Sequence, residues 1–172
     1  TIENENTGKG TEVVLAASTC TDGNWTFGNG FSISSSKGYS TGKNDGIKYS
    51  RNVTFTINIP KNYKVKSLEF TGYSNVDGET AYLATLGSLS FSATEYVYPS
   101  RSTGETATHS ITLPEPVADT LPFQFKGQQV VMSITLWVID STTGIEQMVV
   151  LPLKDYVDVY SANGQLLRKN VN

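Results

Sequence analysis

Nucleophilic catalysis of the familiar kind needs a base beside the nucleophile, and this chain supplies one histidine, His109, and one cysteine, Cys20. His109 lies in Ala107-Thr108-His109-Ser110-Ile111, where strand alternation sends it and Ser110 to opposite faces, so the two do not form a serine–histidine pair. Cys20 has no identifiable group to orient it in a thiol dyad and reads as a small buried apolar residue. Two such residues also fall short of the four protein ligands of a structural zinc, and a single cysteine excludes an intrachain disulfide. The carboxylates Glu69, Asp77, Glu79, Glu95 and Glu105 show no pattern that pairs them across a cleft for glycoside hydrolysis. Asp22, Asn44, Asp45, Asp77 and Glu79 sit in turn-like segments whose oxygens suit calcium, without EF-hand spacing. No catalytic residue and no metal ligand is assigned; a structural Ca²⁺ is the one cofactor left open.

The aromatic residues carry more. A flat ring facing solvent can stack on the C–H face of a sugar while neighbouring amides and carboxylates bind its hydroxyls. Trp25 follows Asp22 and Asn24 at a turn, Tyr73 precedes Asn75 and Asp77, and Tyr96 and Tyr98 share one strand face by spacing. The long polar stretch 34–46 holds Tyr39, Asn44 and Asp45 among serines and glycines that let backbone approach a ligand closely. The expected ligand-binding set is therefore Asn24, Trp25, Tyr39, Asn44, Asp45, Tyr73, Asn75, Tyr96 and Tyr98. The competing reading of each ring is core packing or a cross-strand pair.

Composition agrees with a neutral polar ligand. Of 172 residues 38% are hydrophobic and only 17% charged, against roughly 25% charged in an average soluble protein. The net charge of -3 is spread over 16 acids and 13 bases with no basic cluster, so the chain lacks the phosphate-neutralising stripe of a nucleic-acid binder. No apolar run approaches the roughly 20 residues of a membrane-spanning helix.

These side chains must be positioned by strands. Val53, Phe55, Ile57 and Ile59 alternate with Thr54, Thr56 and Asn58, which is the period of a half-buried strand, and Pro60 ends it. Residues 63–70 continue as a strand whose apolar face switches midway, the mark of a bulge, and the Pro60-Lys61-Asn62 link predicts a hairpin between the two. Further strands are expected over 12–17, 25–33, 81–86, 89–91, 95–98, 108–113, 121–125, 130–139, 145–151 and 157–160. Asp22-Gly23, Asn29-Gly30, Asp77-Gly78 and Asn163-Gly164 punctuate them. Val130, Met132, Ile134, Leu136 and Val138 form one apolar face at the centre of the core, and Trp137, on the opposite face, is expected to be buried against a second layer. No window has helical periodicity. The expected fold is all-β, a two-sheet antiparallel sandwich of the jelly-roll kind. Residues 1–10 read as a flexible N-terminal tether, 11–140 as the sandwich, and 141–172 as C-terminal strands.

The tail Val157-Asp158-Val159-Tyr160-Ser161-Ala162-Asn163-Gly164-Gln165-Leu166-Leu167 reads as strand, turn, strand. It resembles the C-terminal segment of type IX secretion sorting domains, although it stops before the further glycine-containing strand usual there. The stretch 11–139 is similar in texture to jelly-roll modules that accompany polysaccharide-degrading systems in the same bacteria. These resemblances imply a secreted or cell-surface bacterial protein whose signal peptide has been removed. They imply a non-catalytic role in binding a polysaccharide or oligosaccharide. The rival expectations are a structural or adhesion module with a protein partner at the cell surface, and a small glycoside hydrolase.

Overall fold

The computed structural model describes residues 10–17, 25–35, 40–41, 46–79, 81–141, 159–160 and 166–168. The chain divides into two units, Thr1–Thr142 and Thr143–Asn172. In the first, alternating sequence becomes alternating burial: β6 (Thr54–Asn58) buries Phe55 and Ile57 completely while its threonines face outward.

A front sheet contains β1 (Thr11–Ala16), β4 (Ser40–Thr41), β5 (Ile47–Tyr49), β7 (Tyr63–Ser74), β11 (Ala107–Val117) and β13 (Gln129–Asp140), in the order β11-β7-β13-β5-β4, with β1 also pairing β13. A back sheet contains β2 (Trp25–Thr26), β3 (Ser32–Ser35), β6, β8 (Ala81–Leu86), β9 (Leu89–Ser90), β10 (Val97–Tyr98) and β12 (Thr120–Lys126), in the order β10-β8-β12-β6-β3-β2, with β9 on β8. Every pairing between these strands is antiparallel. From β5 onward the chain passes from one sheet to the other at nearly every connection, and the orders β11-β7-β13-β5 and β10-β8-β12-β6 are those of a jelly roll. The hairpin expected between β6 and β7 is thereby corrected, because Pro60-Lys61-Asn62 carries the chain across to the facing sheet. In the second unit the structure describes one antiparallel pair, β14 (Val159–Tyr160) with β15 (Leu166–Arg168).

The core between the sheets is aromatic. Phe70 of the front sheet meets Phe123 and Phe125 of the back sheet at 5.2 and 5.6 Å between ring centroids. Tyr49 meets Phe55 at 4.6 Å and Trp25 at 5.1 Å. Edge-to-face arrangements dominate, as ring quadrupoles favour.

Two bulges decide what the front sheet shows to solvent. In β13 the register against β7 slips between Val131 and Ser133, so Val131 turns into the core together with Ile134, Leu136 and Val138, and Met132 is only half-buried. The single apolar face expected from Val130 to Val138 is thus broken at Met132. Gly72 lies opposite Val131 at this bulge, where a Cβ would run into the Val130 carbonyl. In β7 the step from Ser67 to Val65 opposite Trp137 and Val138 makes Lys66 the extra residue, which matches the switch of face in the sequence.

A buried side-chain amide lacks compensation. Gln129 is fully buried and neither amide atom has a hydrogen-bond partner among the described residues. An unpaired buried amide costs about 1–3 kcal/mol, so the unbranched Gln129→Met substitution is expected to raise stability by about 1 kcal/mol, read as a higher urea midpoint at unchanged slope. A lower midpoint would show that the amide is satisfied in solution.

Candidate functional site

The expected aromatic set does not converge. Trp25 on β2 is 1% exposed and packs on Tyr49 and Phe55, so its ring is unavailable to a surface ligand. Tyr98 is likewise core, and burial pushes its phenol well above the usual tyrosine range. Tyr96 precedes β10 with a left-handed φ of 48°, which breaks the alternation that spacing suggested. Its half-buried ring packs edge-on against Phe91 and His109. Tyr73 is buried on the outer side of the front sheet, opposite Val130. Asn75 donates from Nδ2 to Gln128 Oε1 at 3.2 Å, a turn-holding bond. Solvent-facing rings at Trp25, Tyr73 and Tyr98 are thus corrected to buried ones: Trp25 and Tyr98 are turned into the core between the sheets, whereas Tyr73 is covered on the outer side. Asn24, Tyr39, Asn44 and Asp45 lie outside the described residues, as do Cys20 and Asp22.

His109 has a structural post. Its Nε2 donates to the Val97 carbonyl at 2.7 Å and its ring lies 4.7 Å from Tyr98, locking β11 to β10 across the sandwich edge. The carboxylates are similarly dispersed: Glu79 pairs with Arg51 at 3.0 Å, and Asp77 accepts from Ser100 at 3.3 Å. Glu95 accepts from the Ser92 N–H and hydroxyl at 2.9 and 2.8 Å. Those bonds favour the ionised form and hold Glu95 below the usual glutamate range. Their contribution is therefore present at neutral pH and is withdrawn as pH falls through the lowered value. Ser92→Ala, which removes the hydroxyl and keeps the N–H, is expected to move the Glu95 midpoint part of the way back up in an NMR titration of its carboxyl carbon, and an unmoved midpoint would refute the hydroxyl's share. No three of His, Cys, Asp and Glu gather among the described residues to hold a metal ion.

What the front sheet does assemble is on its outer face. Cross-strand register lines up Ser110, Glu69, Thr135 and Val14 in one row. The next row is Thr112, Ser67, Trp137 and Glu12. The row on the other side holds Thr108, Thr71, Ser133 and Ala16. A groove of about 300 Å³ opens here, with Trp137, Lys66, Ser67, Glu69, Ser110 and Thr112 in its lining. Because Lys66 is the bulged residue, both it and Ser67 line the groove beside Trp137. Ser110 donates to Glu69 Oε1 at 2.5 Å, which fixes the carboxylate and leaves it further acceptor sites. Thr71 and Thr108 share a hydrogen bond of 2.8 Å.

Trp137 is half-buried, not sealed under a second layer as the sequence suggested. It makes no ring–ring contact among the described residues. Its signal was present in the chain: an indole that follows Ser133 and Thr135 on the face opposite Ile134, Leu136 and Val138. An aromatic among hydroxyls, opposite a complete apolar face, is surplus to the core. Glu69, Ser110 and Thr112 carried no such signal, since only the β11–β7–β13 register brings them to it.

No protein-family model matches the chain, and no curated protein matches it. Among solved structures it is similar to the catalytic domain of a GH87 alpha-1,3-glucanase in complex with tetrasaccharides, at 7% identity and a TM-score of 0.43. That match covers 75% of this chain and 29% of the other, and the likeness is too distant to carry an argument.

Proposed function

We propose that this domain is a non-catalytic carbohydrate-binding module and that its ligand lies on the outer face of the front sheet, over Trp137. The observation that carries the reading is a half-buried tryptophan lining a groove together with a hydrogen-bonded carboxylate, hydroxyls and one ammonium. A neutral sugar offers such a site an apolar C–H face for the ring and hydroxyls for Glu69, Ser110, Thr112 and Lys66. The low charge of the whole chain favours a neutral glycan over an acidic one. The tail's likeness to a sorting domain supports placing the module outside the cell.

Screening the protein on an array of neutral glycans and on insoluble polysaccharides tests this. Retention on at least one neutral glycan, with no dependence on salt, is the expected result; silence on all of them overturns the reading. A second reading rests on Val14 and Ile139, which are 49% and 36% exposed on the same outer face. These flank the Trp137 row and would serve a protein partner. Thr135 and Glu12 interrupt the apolar surface, however, and so favour the sugar.

A further inference from the structure

Resting on that proposal, we infer that the binding face is an elongated track along β13 with a second subsite at its far end, and that its ligand is a linear neutral oligosaccharide segment, not a single terminal sugar. The second subsite is a pocket of about 190 Å³ lined by Tyr73, Arg101, Gly104, Glu105, Thr106 and Met132. Its position follows from register. Tyr73 pairs with Val130 on the side of the sheet that faces away from the core, as the pairing of Gly72 with Val131 and of Ser74 with Gln129 requires. The bulge at Met132 brings that side chain to half-exposure beside them. The 3₁₀ turn Arg101–Thr103 and the residues after it lie against the same end of the sheet.

Both depressions therefore belong to one face. Met132 and Trp137 are five residues apart on one strand, which at about 3.3 Å per residue is roughly 16 Å, the length of a short oligosaccharide and too far for one ring. Between them lie Thr71, Thr108, Ser133 and Thr135, a row of short hydroxylated side chains that offers hydrogen bonds. At the far end the half-buried Met132 gives an apolar contact beside the buried Tyr73, while the Arg101 guanidinium and Glu105 carboxylate supply a planar donor and an acceptor on an exposed loop.

The test is calorimetric titration with cello-, malto- and laminari-oligosaccharides, each as a ladder from monosaccharide to hexasaccharide, against the native protein, Arg101→Ala and Trp137→Ala. Affinity is expected to rise with length until both subsites are filled. Arg101→Ala should then weaken only the longer oligosaccharides, by about 5-fold, the size of one lost exposed hydrogen bond. Trp137→Ala should weaken every length. Binding that depends on Trp137 but is flat with length, or an Arg101→Ala loss equal at every length, overturns the elongated track and leaves the Trp137 site standing. No binding by any ladder overturns both. Because Arg101 is exposed and outside the core, its substitution leaves the fold intact, which an unchanged melting midpoint verifies.

Discussion

Trp137→Ala is expected to lower affinity for the bound glycan by roughly 30-fold, about 2 kcal/mol, while leaving the melting midpoint within a few degrees of the native value. Trp137 lines the groove from the outer face of β13, so truncating it removes the stacking surface without opening a void between the sheets. Trp137→Phe, which keeps a flat ring of smaller area, should recover part of the loss. Glu69→Gln separates the polar contribution. It keeps the shape and the Ser110 contact while removing the charge, and should cost less than the ring does. Equal affinity in native protein and Trp137→Ala would dissociate the groove from binding altogether.

Trp25→Ala reverses the pattern. Trp25 is sealed in the core against Tyr49 at 5.1 Å and Phe55 at 6.1 Å between ring centroids. Removing it leaves a cavity where β2 closes the back sheet, and the expected cost is about 3–5 kcal/mol. That is a large part of the roughly 5–15 kcal/mol that holds a domain of this size together. In thermal unfolding it should appear as a midpoint lowered by about 10–15 °C. Well below that midpoint the folded fraction should bind glycan with native affinity, because the indole lies in the core and not on the outer face of the front sheet. Loss of binding at native stability would instead place Trp25 in the site. The two tryptophans thus make a crossed pair: one substitution strikes binding and spares stability, the other does the converse.

That contrast also marks how far the sequence could be read. Period-two alternation located β6 and β8 almost to the residue, because each buries one face and Pro60 or Gly87 ends it. The all-β sandwich followed from many such segments. Pairing was a different matter. Residues 53–59 and 63–70 look like a hairpin by proximity, yet partner choice is made by the closing of the whole sandwich, and the link crosses between sheets. Bulges were legible only in part: the face switch in β7 is visible, whereas the slip at Met132 falls where the even-numbered positions from Val130 to Val138 are all apolar and leaves no trace.

The site was less legible still. Trp25 beside Asp22 and Asn24 looks like a surface turn, but Phe27 and Phe31 continue the apolar face that carries Trp25 inward. Glu69, Ser110 and Trp137 are scattered over 69 positions of sequence numbering and become neighbours only through three strands in register. Short polar residues on an outer face look alike in sequence whether they meet water or a ligand. What distinguishes this face is an aromatic ring placed among them with no ring partner among the described residues.

The most direct test of the account is to titrate isotopically labelled protein with a bound glycan from the array and map the amide and indole shifts. Perturbations centred on the Trp137 indole, Glu69, Ser110 and Thr112, with the back sheet silent, are the predicted result. Shifts centred on the back sheet, or a Trp137 indole that does not move while binding proceeds, would contradict it.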